Sequence, residues 1–414
     1  MRIVEPESVG LSSEALRRVD RHLQSRYIEP GKIAGAITLV ARRGQVAHLS
    51  ALGLADRERQ VAMRPDTITR IYSMTKPITS VGLMMLHERG AFALSDPVHH
   101  YIPAWKDLRV YRYGRHPHFV TEPVARPMTI RDLLTHTSGL SYHIMNRTPV
   151  DEAYRALGIG MASGSLHSMV EQMASVPLEF SPGTRWGYSA ATDVIGYLIE
   201  VLSGQKLDDY FRTQIFEPLG MVDTHFTIPA DKLDRFAANY AYNLPFGATP
   251  PDGTVATLFD DPRDSSYARP KTFLSGGGGL VSTAADYFRF AELLRRGGAL
   301  DGVRLLGART VAYMTQNHLP DGRDLTALAT PGSFSETRFD GVGFGLGFAV
   351  VTDPVRAQVA TSPGEFSWGG MASTAFWVNP REELVVVFLT QLIPSSLFDF
   401  RNQLKAIIYG AIID

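Results

Sequence analysis

The amino-acid sequence predicts an α/β protein of two parts, in which both ends of the chain build one sheet and a mostly helical segment is inserted between them. Short runs rich in β-branched residues lie near the two ends, at about residues 35–54 and 343–391. Between them, helical patterns alternate with stretches rich in proline and glycine. We therefore predict a discontinuous sheet domain over 1–95 and 265–414 and a helical domain over 96–264.

The first hundred residues are predicted to contain two helices and a β-hairpin. An amphipathic pattern over residues 12–26 indicates the first helix. Two runs with β-branched residues, 35–41 and 45–54, flank an Arg-Gly turn and so predict the hairpin. The second helix ends at Gly90, because glycine commonly terminates helices.

The central segment is predicted to be helical with long irregular stretches. Residues 96–128 contain several prolines and are predicted to be irregular. The basic run 109–115 in this segment is predicted to be a solvated loop. Thr129 to Asp132 has the form of a capping box, which predicts the start of a short helix. Further predicted elements are helices at about 164–176, 190–203 and 207–216, and a long loop over 233–271.

The C-terminal part is predicted to supply the remaining strands. Thr283 to Asp286 forms a second capping pattern and introduces a helix that runs to about Arg296. Apolar runs then predict strands over 343–351, 373–378 and 383–391. A final helix begins at about Phe398.

The composition is that of an ordinary globular protein, and it argues against several kinds of partner. The chain has 414 residues, of which 44% are hydrophobic and 20% charged, and its formal net charge is -1. With so little net charge, we expect no nucleic acid and no membrane as a partner. The absence of cysteine excludes disulfides, thiolate nucleophiles and cysteine zinc sites.

Targeting and cofactor signals are also missing from the sequence. The N-terminus lacks the basic start and apolar core of a signal peptide, so we expect a cytoplasmic protein. The run Gly276 to Gly279 lacks the ending of a phosphate-binding loop, and the histidines do not match a zinc spacing. We therefore expect neither a cofactor nor a metal, and the sequence leaves the oligomeric state open.

The strongest chemical signal is Ser73-Met74-Thr75-Lys76 at the start of a predicted helix. Residues three apart share a helix face, so the Lys76 amine can reach the Ser73 hydroxyl. Serine is a poor nucleophile unless a base takes its proton, and lysine can act as that base if burial displaces its own proton. The helix N-terminus adds backbone N–H groups that suit an oxyanion. The motif S-x-x-K alone also arises often by chance.

Two further motifs could complete such a site. Tyr188, at a predicted loop-to-helix junction, can relay a proton if a lysine lies nearby; otherwise it is a core aromatic. Trp368-Gly369-Gly370-Met371 is predicted to lie at the head of a strand, where the glycines let a ligand approach the backbone and an N–H could bind an oxyanion. A simple β-bulge is the alternative interpretation. No G-x-S-x-G motif is present, so we do not expect an α/β-hydrolase.

Three longer phrases accompany these motifs: Arg70 to Pro77, Leu133 to Leu140 and Gly278 to Thr283. Together with the motifs above, these segments make the chain resemble the serine β-lactamase and penicillin-binding protein superfamily. The resemblance extends from about residue 30 to the C-terminus. More closely, the chain resembles the class C β-lactamase-like serine esterases, the family VIII carboxylesterases. The resemblance implies an antiparallel sheet flanked by helices, with the serine in the cleft beside an inserted helical domain.

The resemblance also implies roles for individual residues. Ser73 would be the nucleophile, with Lys76 and Tyr188 as the pair that activates it and later protonates the leaving group. The backbone N–H groups of Ser73 and Met371 would form the oxyanion hole. His136 would be mainly structural.

Two departures from the β-lactamase pattern bear on the substrate. β-Lactamases of this class carry Tyr-x-Asn and Lys-Thr-Gly, where this chain has Ala190 and Trp368-Gly369-Gly370. The missing asparagine and lysine would have held the amide and the carboxylate of a β-lactam. Esters with an uncharged body are the implied substrates, with Trp368, Gly369 and Gly370 as substrate-binding residues.

Three other functions stay open at this point. An acyltransferase of the lovastatin-synthase type would use the same chemistry with an alcohol in place of water. A β-lactamase or D-amino-acid peptidase is disfavoured by Ala190 and Trp368. A non-enzymatic relative is disfavoured by the intact Ser73, Lys76 and Tyr188.

Overall fold

The computed structural model describes residues 2–161, 164–244, 250–251 and 253–414. In chain order the strands are β1 (Gly35–Arg42), β2 (Gln45–Asp56), β3 (Val61–Ala62), β4 (Thr69–Arg70), β5 (Arg109–Arg115), β6 (His118–Pro123), β7 (Asn239–Ala241), β8 (Thr257–Asp260), β9 (Val281–Ser282), β10 (Ala299–Leu300), β11 (Val303–Arg304), β12 (Val342–Phe344), β13 (Ala349–Val351), β14 (Phe366–Gly369), β15 (Ala375–Asn379), β16 (Leu384–Thr390) and β17 (Leu392–Ile393).

The helices fill the space between these strands and cover both faces of the main sheet. In chain order they are α1 (Ser13–Leu23), α2 (Thr75–Glu88), α3 (Ile130–Leu134), α4 (Pro149–Ala156), α5 (Leu166–Met173), α6 (Ala191–Ser203), α7 (Leu207–Phe211), α8 (Glu217–Leu219), α9 (Ala284–Arg295), α10 (Ala308–Met314), α11 (Leu325–Leu328), α12 (Pro354–Ala357) and α13 (Phe400–Tyr409).

The main sheet joins the two ends of the chain. Its strand order is β12-β13-β14-β15-β16-β1-β2-β3, and each neighbouring pair is antiparallel. The central contact pairs β1 with β16, for example Ile37 with Leu389. The predicted fold class, an antiparallel sheet flanked by helices, is therefore confirmed.

Strand β16 explains why both faces of this sheet are covered. All seven of its residues are buried, and their side chains alternate between two hydrophobic clusters. Val385, Val387 and Leu389 enter the cluster on the side of α9, which packs against β15 and β16. Val386 and Phe388 enter the cluster that contains residues of α1 and α13. An uninterrupted apolar run is what a strand buried on both faces requires.

The first of these clusters continues into the predicted helical domain. It includes residues of α2 and α9 together with residues of α3, α4, α5 and α6. Strand β7, from the predicted helical domain, also pairs with β17 near the C-terminus. The domain boundaries given above stay a prediction.

Several local predictions are confirmed by the described residues. Thr129 caps α3 in a reciprocal capping box with Asp132, and the Thr283 side chain accepts the backbone N–H of Asp286 at the start of α9. The predicted hairpin corresponds to β1 and β2, and Gly90 follows α2. Part of the predicted loop over 233–271, namely 245–249 and 252, lies outside the described residues.

Four local predictions are wrong. The predicted loop over 233–271 contains two short paired strands, β7 and β8. The basic run 109–115 is not a loop but strand β5, paired with β6, and prolines occupy the turn and the end of this hairpin without interrupting its ladder. The predicted strand 343–351 is two strands, because Gly347, at φ 99°, turns the chain between β12 and β13. The motif that begins at Trp368 lies at the end of β14 and not at the head of a strand.

In the part of the chain that the structure describes, no helix combines the length and the apolar character needed to cross a bilayer. The cytoplasmic location stays a prediction.

The two-sided burial of β16 predicts a large effect of truncating its side chains. We expect Leu389→Ala to lower the free energy of unfolding by about 2–5 kcal/mol, because it opens a cavity in a fully buried position. Leu258→Ala, at a β8 side chain that is 38% exposed, should change it by no more than about 0.5 kcal/mol. Chemical denaturation of both variants measures the difference, and equal effects would contradict this account of the core.

Candidate active site

Ser73 lies in a tight turn that leads directly into α2. The turn spans Tyr72–Met74, and Tyr72 has a φ of 41°, in the left-handed region that side chains disfavour. The Tyr72 hydroxyl accepts a hydrogen bond from Asn239 at 3.0 Å, which helps to hold this conformation. The short strand β4, just before the turn, pairs with β9 and brings the glycine run that precedes β9 opposite Ser73.

Lys76 lies one turn further along, buried against the same serine. Its Nζ atom is 3.3 Å from Ser73 Oγ and 2.7 Å from the carbonyl oxygen of Gly277. The aromatic rings of Tyr142 and Tyr188 have their centroids 5.2 Å and 4.7 Å from Nζ. The predicted closeness of Ser73 and Lys76 in space is therefore present in the structure.

The surroundings of Lys76 favour its uncharged amine. Burial lowers the Lys76 pKa from 10.5 to about 8, while the negative charges of Asp193 and Glu336 act in the opposite direction. Burial prevails because the side chain is only 2% exposed and, among the described residues, no carboxylate is in hydrogen-bond contact with Nζ. A neutral amine at this place can accept the proton of the neighbouring hydroxyl.

Tyr188 completes the contacts of the serine oxygen. Its phenol donates a hydrogen bond of 2.6 Å to Ser73 Oγ. Burial, followed by the charge of Glu336, raises the Tyr188 pKa well above 10, so the phenol keeps its proton near neutral pH. Ser73 Oγ therefore contacts both a proton donor and an amine that can accept a proton.

Aromatic and histidine side chains fix the Tyr188 ring. His136 and Trp368 pack against it with centroid separations of 5.1 Å and 5.5 Å. The His136 Nδ1 atom lies 3.2 Å from the hydroxyl of Ser189, and the His136 carbonyl accepts the backbone N–H of Gly187. His136 thus contacts the residues on both sides of Tyr188, in keeping with its expected structural role.

Asp193, in the first turn of α6, is a site residue that the sequence analysis missed. Its Oδ1 atom accepts hydrogen bonds from the Ser275 hydroxyl at 2.6 Å and from the Gly277 backbone N–H at 3.0 Å. The backbone carbonyl of Gly277 accepts a hydrogen bond from Lys76 Nζ. A Cβ atom at Gly277 would lie 2.7 Å from Asp193 Oδ2, so glycine allows this close approach. Asp193 lies five residues after Tyr188, but no motif marks it.

The two residues expected to form the oxyanion hole, Ser73 and Met371, both have backbone N–H groups without a backbone partner among the described residues. Both residues line one cavity. Gly370 makes this arrangement possible, since a Cβ atom there would collide with the Ile71 carbonyl. Free N–H donors beside a serine can stabilise a developing oxyanion.

The three predicted substrate-binding residues, Trp368, Gly369 and Gly370, have different surroundings from the oxyanion-hole residues. Trp368 is 2% exposed and packs between Tyr188 and Phe344, so its side chain does not line the cavity that contains Ser73. Gly369 faces the guanidinium of Arg401, and Gly370 faces the Ile71 carbonyl and the Thr374 hydroxyl. Trp368 thus supports the Tyr188 ring from behind, and the substrate contacts expected of Trp368, Gly369 and Gly370 stay a prediction.

The cavity beside Ser73 has a volume of about 550 Å³, enough for a small organic molecule. Its walls come from the loops around Tyr142 and Tyr267, from the segment around Phe334 and from the residues after β17. Apolar side chains of the cavity are Ile144, Met145, Phe273, Phe334, Met371 and Ile393.

Glu336 is a second site residue that the sequence analysis missed. It lines the cavity, is 2% exposed, and receives a hydrogen bond of 2.5 Å from Arg401 on its Oε2 atom. Its Oε1 atom has no hydrogen-bond partner among the described residues. Its charge raises the pKa values of both Lys76 and Tyr188. The surrounding sequence is polar and irregular, so it gives no signal of a buried carboxylate.

The lowered pKa of Lys76 predicts how stability depends on pH. Between pH 8 and 10.5 an unfolded lysine holds a proton that the folded protein has released, so stability rises with pH in this window. We expect wild type to gain up to about 3 kcal/mol relative to Lys76→Met over that range. Urea unfolding at several pH values measures the gain. The exposed-lysine variant Lys106→Met should track wild type, and a Lys76→Met curve parallel to wild type would contradict the assigned burial.

Comparison with known proteins places the chain in a family. The Beta-lactamase family model matches residues 20–409. The protein Rv1367c of Mycobacterium tuberculosis is 33% identical over 375 residues, which cover 90% of this chain and 89% of that protein. Esterase EstB of Burkholderia gladioli is 30% identical over 396 residues, 94% of this chain and 93% of that protein.

A solved structure agrees with these matches. EstCE1, described as a hydrolase with promiscuous acyltransferase activity, is 28% identical and superposes with a TM-score of 0.78. The similarity covers 96% of this chain and 99% of EstCE1. The chain therefore belongs to the beta-lactamase family, and its predicted resemblance to the esterase members of that superfamily is confirmed.

Proposed function

We propose that this protein is a serine carboxylesterase that forms an acyl-enzyme on Ser73. The observation that carries the proposal is the double contact of Ser73 Oγ, with Tyr188 OH at 2.6 Å and with Lys76 Nζ at 3.3 Å. The similarity to Esterase EstB and to the hydrolase EstCE1 supports the same reaction class.

The proposed first step is attack of Ser73 on the ester carbonyl. The neutral Lys76 amine takes the Ser73 proton as Oγ bonds to the carbonyl carbon. The carbonyl oxygen becomes an oxyanion, which the N–H groups of Ser73 and Met371 stabilise. The pKa values support this division of labour, since burial lowers the Lys76 pKa to about 8 and raises that of Tyr188.

The proposed second step releases the alcohol. As the ester C–O bond breaks, Tyr188 donates its phenol proton to the leaving oxygen and recovers a proton from the Lys76 ammonium. Water then attacks the acyl-enzyme with the same pair as base, and the serine leaves with a proton. Each proton taken in one half-reaction is returned in it, so the site ends as it began.

The surroundings of β14 support esters over β-lactams. The position that would carry a lysine to hold a β-lactam carboxylate is Trp368, and its indole is buried behind Tyr188. Met371, Phe334 and Ile393 present apolar surface to the cavity. We therefore propose that the part of the substrate next to β14 is uncharged.

Removing the proposed nucleophile should abolish turnover. We expect Ser73→Ala to lower kcat for short p-nitrophenyl esters by at least about a thousandfold, because no acyl-enzyme can form. A fluorophosphonate probe should label wild type and fail to label this variant. Ser175→Ala, at an exposed serine, is the matched control and should keep full activity. Full-rate hydrolysis by a folded Ser73→Ala variant would overturn the proposal.

Acyl transfer to an alcohol is the second candidate function, favoured by the printed description of EstCE1 as a hydrolase with promiscuous acyltransferase activity. The two functions differ only in which nucleophile takes the acyl group from Ser73. We expect the free acid to dominate when a short alcohol is present at millimolar concentration, as chromatography of both products would measure. If more new ester than free acid formed, acyl transfer and not hydrolysis would be the main activity of the protein.

A further inference from the structure

Lys271 is a cationic side chain in the cavity that the proposed mechanism does not use. It lies in the segment between β8 and β9 and lines the same cavity as Ser73. Its Nζ atom sits 3.3 Å from the centroid of the Tyr267 ring. Tyr267 is itself anchored, since its hydroxyl donates a hydrogen bond of 3.2 Å to the Gly278 carbonyl. The lysine is therefore held in place by a residue that contacts the glycine run facing Ser73.

Among the described residues Lys271 has no acidic partner, unlike two arginines nearby. Arg70 pairs with Asp260 at 2.7 Å, and Arg147 pairs with Glu179 at 2.9 Å. Across the described ranges, Lys271 Nζ takes part in no ion pair or hydrogen bond within the chain. A partly buried ammonium without a counter-charge is unfavourable unless a ligand supplies one.

The lowered pKa of Lys271 is consistent with an ammonium group that lacks a bound anion. Burial first, and the charge of Arg70 second, lower the Lys271 pKa to about 7, and Asp260 acts in the opposite direction. An anion bound beside the amine would stabilise its charged form. The exposed Ser266 lines the cavity next to Tyr267 and offers one hydroxyl donor to the same anion.

We infer that Lys271 binds a carboxylate carried by the ester substrate. This inference rests on the proposed function and adds to it a charged group on the substrate. A single ammonium with one neighbouring hydroxyl suits a monoanion, whereas a phosphate would call for a guanidinium fork or several backbone donors. The substrate class is then an ester that carries one free carboxylate, such as a half-ester of a dicarboxylic acid.

The test compares two esters of equal length on wild type and on Lys271→Met. Mono-p-nitrophenyl adipate carries a carboxylate on its acyl chain, and p-nitrophenyl hexanoate lacks it. We expect Lys271→Met to raise KM at least about tenfold for the adipate and to leave the hexanoate unchanged. Lys271→Arg should keep most of the preference, because it keeps the positive charge. Lys106→Met, at an exposed lysine outside the cavity, is the control for loss of charge.

A pH series adds a readout that a structural role would not produce. The groups that face Lys271 are Arg70, Asp260 and the Tyr267 phenol. Since Lys271 loses its proton as pH rises through about 7, the ratio of kcat/KM for adipate over hexanoate should fall there. Both esters use the same Ser73 chemistry, so the titration of Lys76 cancels in the ratio.

The possible outcomes separate the two proposals. Wild-type hydrolysis with no preference for the carboxylate ester in either the acyl-chain pair or the alcohol pair described below, or an equal loss on both esters of a pair in Lys271→Met, would overturn the role of Lys271 and leave the esterase intact. No hydrolysis of either ester would count against the esterase itself. A second pair, 3-carboxyphenyl and phenyl butyrate, tells whether the carboxylate belongs to the acyl or the alcohol part. Loss of the carboxylate preference in either pair on Lys271→Met supports the inference.

Discussion

The arrangement of the site depends on one interaction, the burial of the Lys76 amine between Ser73 and the Gly277 carbonyl. An ammonium ion in this position would lack a carboxylate contact, so the low-dielectric surroundings favour the neutral amine. The neutral Lys76 amine needs a carbonyl acceptor near Nζ, and the glycine backbone must come close enough to supply it. Asp193 satisfies the second requirement, because it holds the Gly277 N–H from the opposite side.

The sheet determines where this small cluster can form. Strands β4 and β9 pair next to the serine turn, and β14 ends so that Gly370 packs on the Ile71 carbonyl beside the same turn. Residues from three distant parts of the sequence thus meet around one oxygen atom. The packing of Trp368 against Tyr188 extends the arrangement, since this indole in β14 supports the phenol ring.

Much of the fold and the central cluster could be predicted from the sequence. Patterns with strong local causes were read correctly, such as the capping boxes at Thr129 and Thr283 and the apolar run of β16. The proximity of Ser73 and Lys76 followed from helical spacing, whereas that of Tyr188 was implied by the resemblance to the serine β-lactamase superfamily. The hairpin of β5 and β6 was missed because its charged, proline-flanked residues lie at the surface, where pairing and not burial defines the strands.

The remaining site residues could not be predicted because their roles arise from tertiary contacts. Asp193 is one of many acidic residues at helix starts, and only its position beside Gly277 distinguishes it. Glu336 and Lys271 lie in irregular segments without a motif, and each is defined by what surrounds it. The substrate role expected for Trp368 stays a prediction, because a motif gives the backbone position of a residue but not the direction of its side chain.

The pairing of β1 with β16 also has a consequence for the order in which the chain can fold. Ile37 finds its partner in Leu389, so the centre of the sheet closes only when nearly the whole polypeptide is present. Contacts so far apart in sequence form slowly, because a long loop must close before they form. During synthesis, the apolar edge of β1 in the N-terminal hairpin therefore stays exposed until β16 has been made. Chaperones protect intermediates with such exposed strand edges. The enzyme's serine is made early, but its surroundings are among the last parts to be assembled.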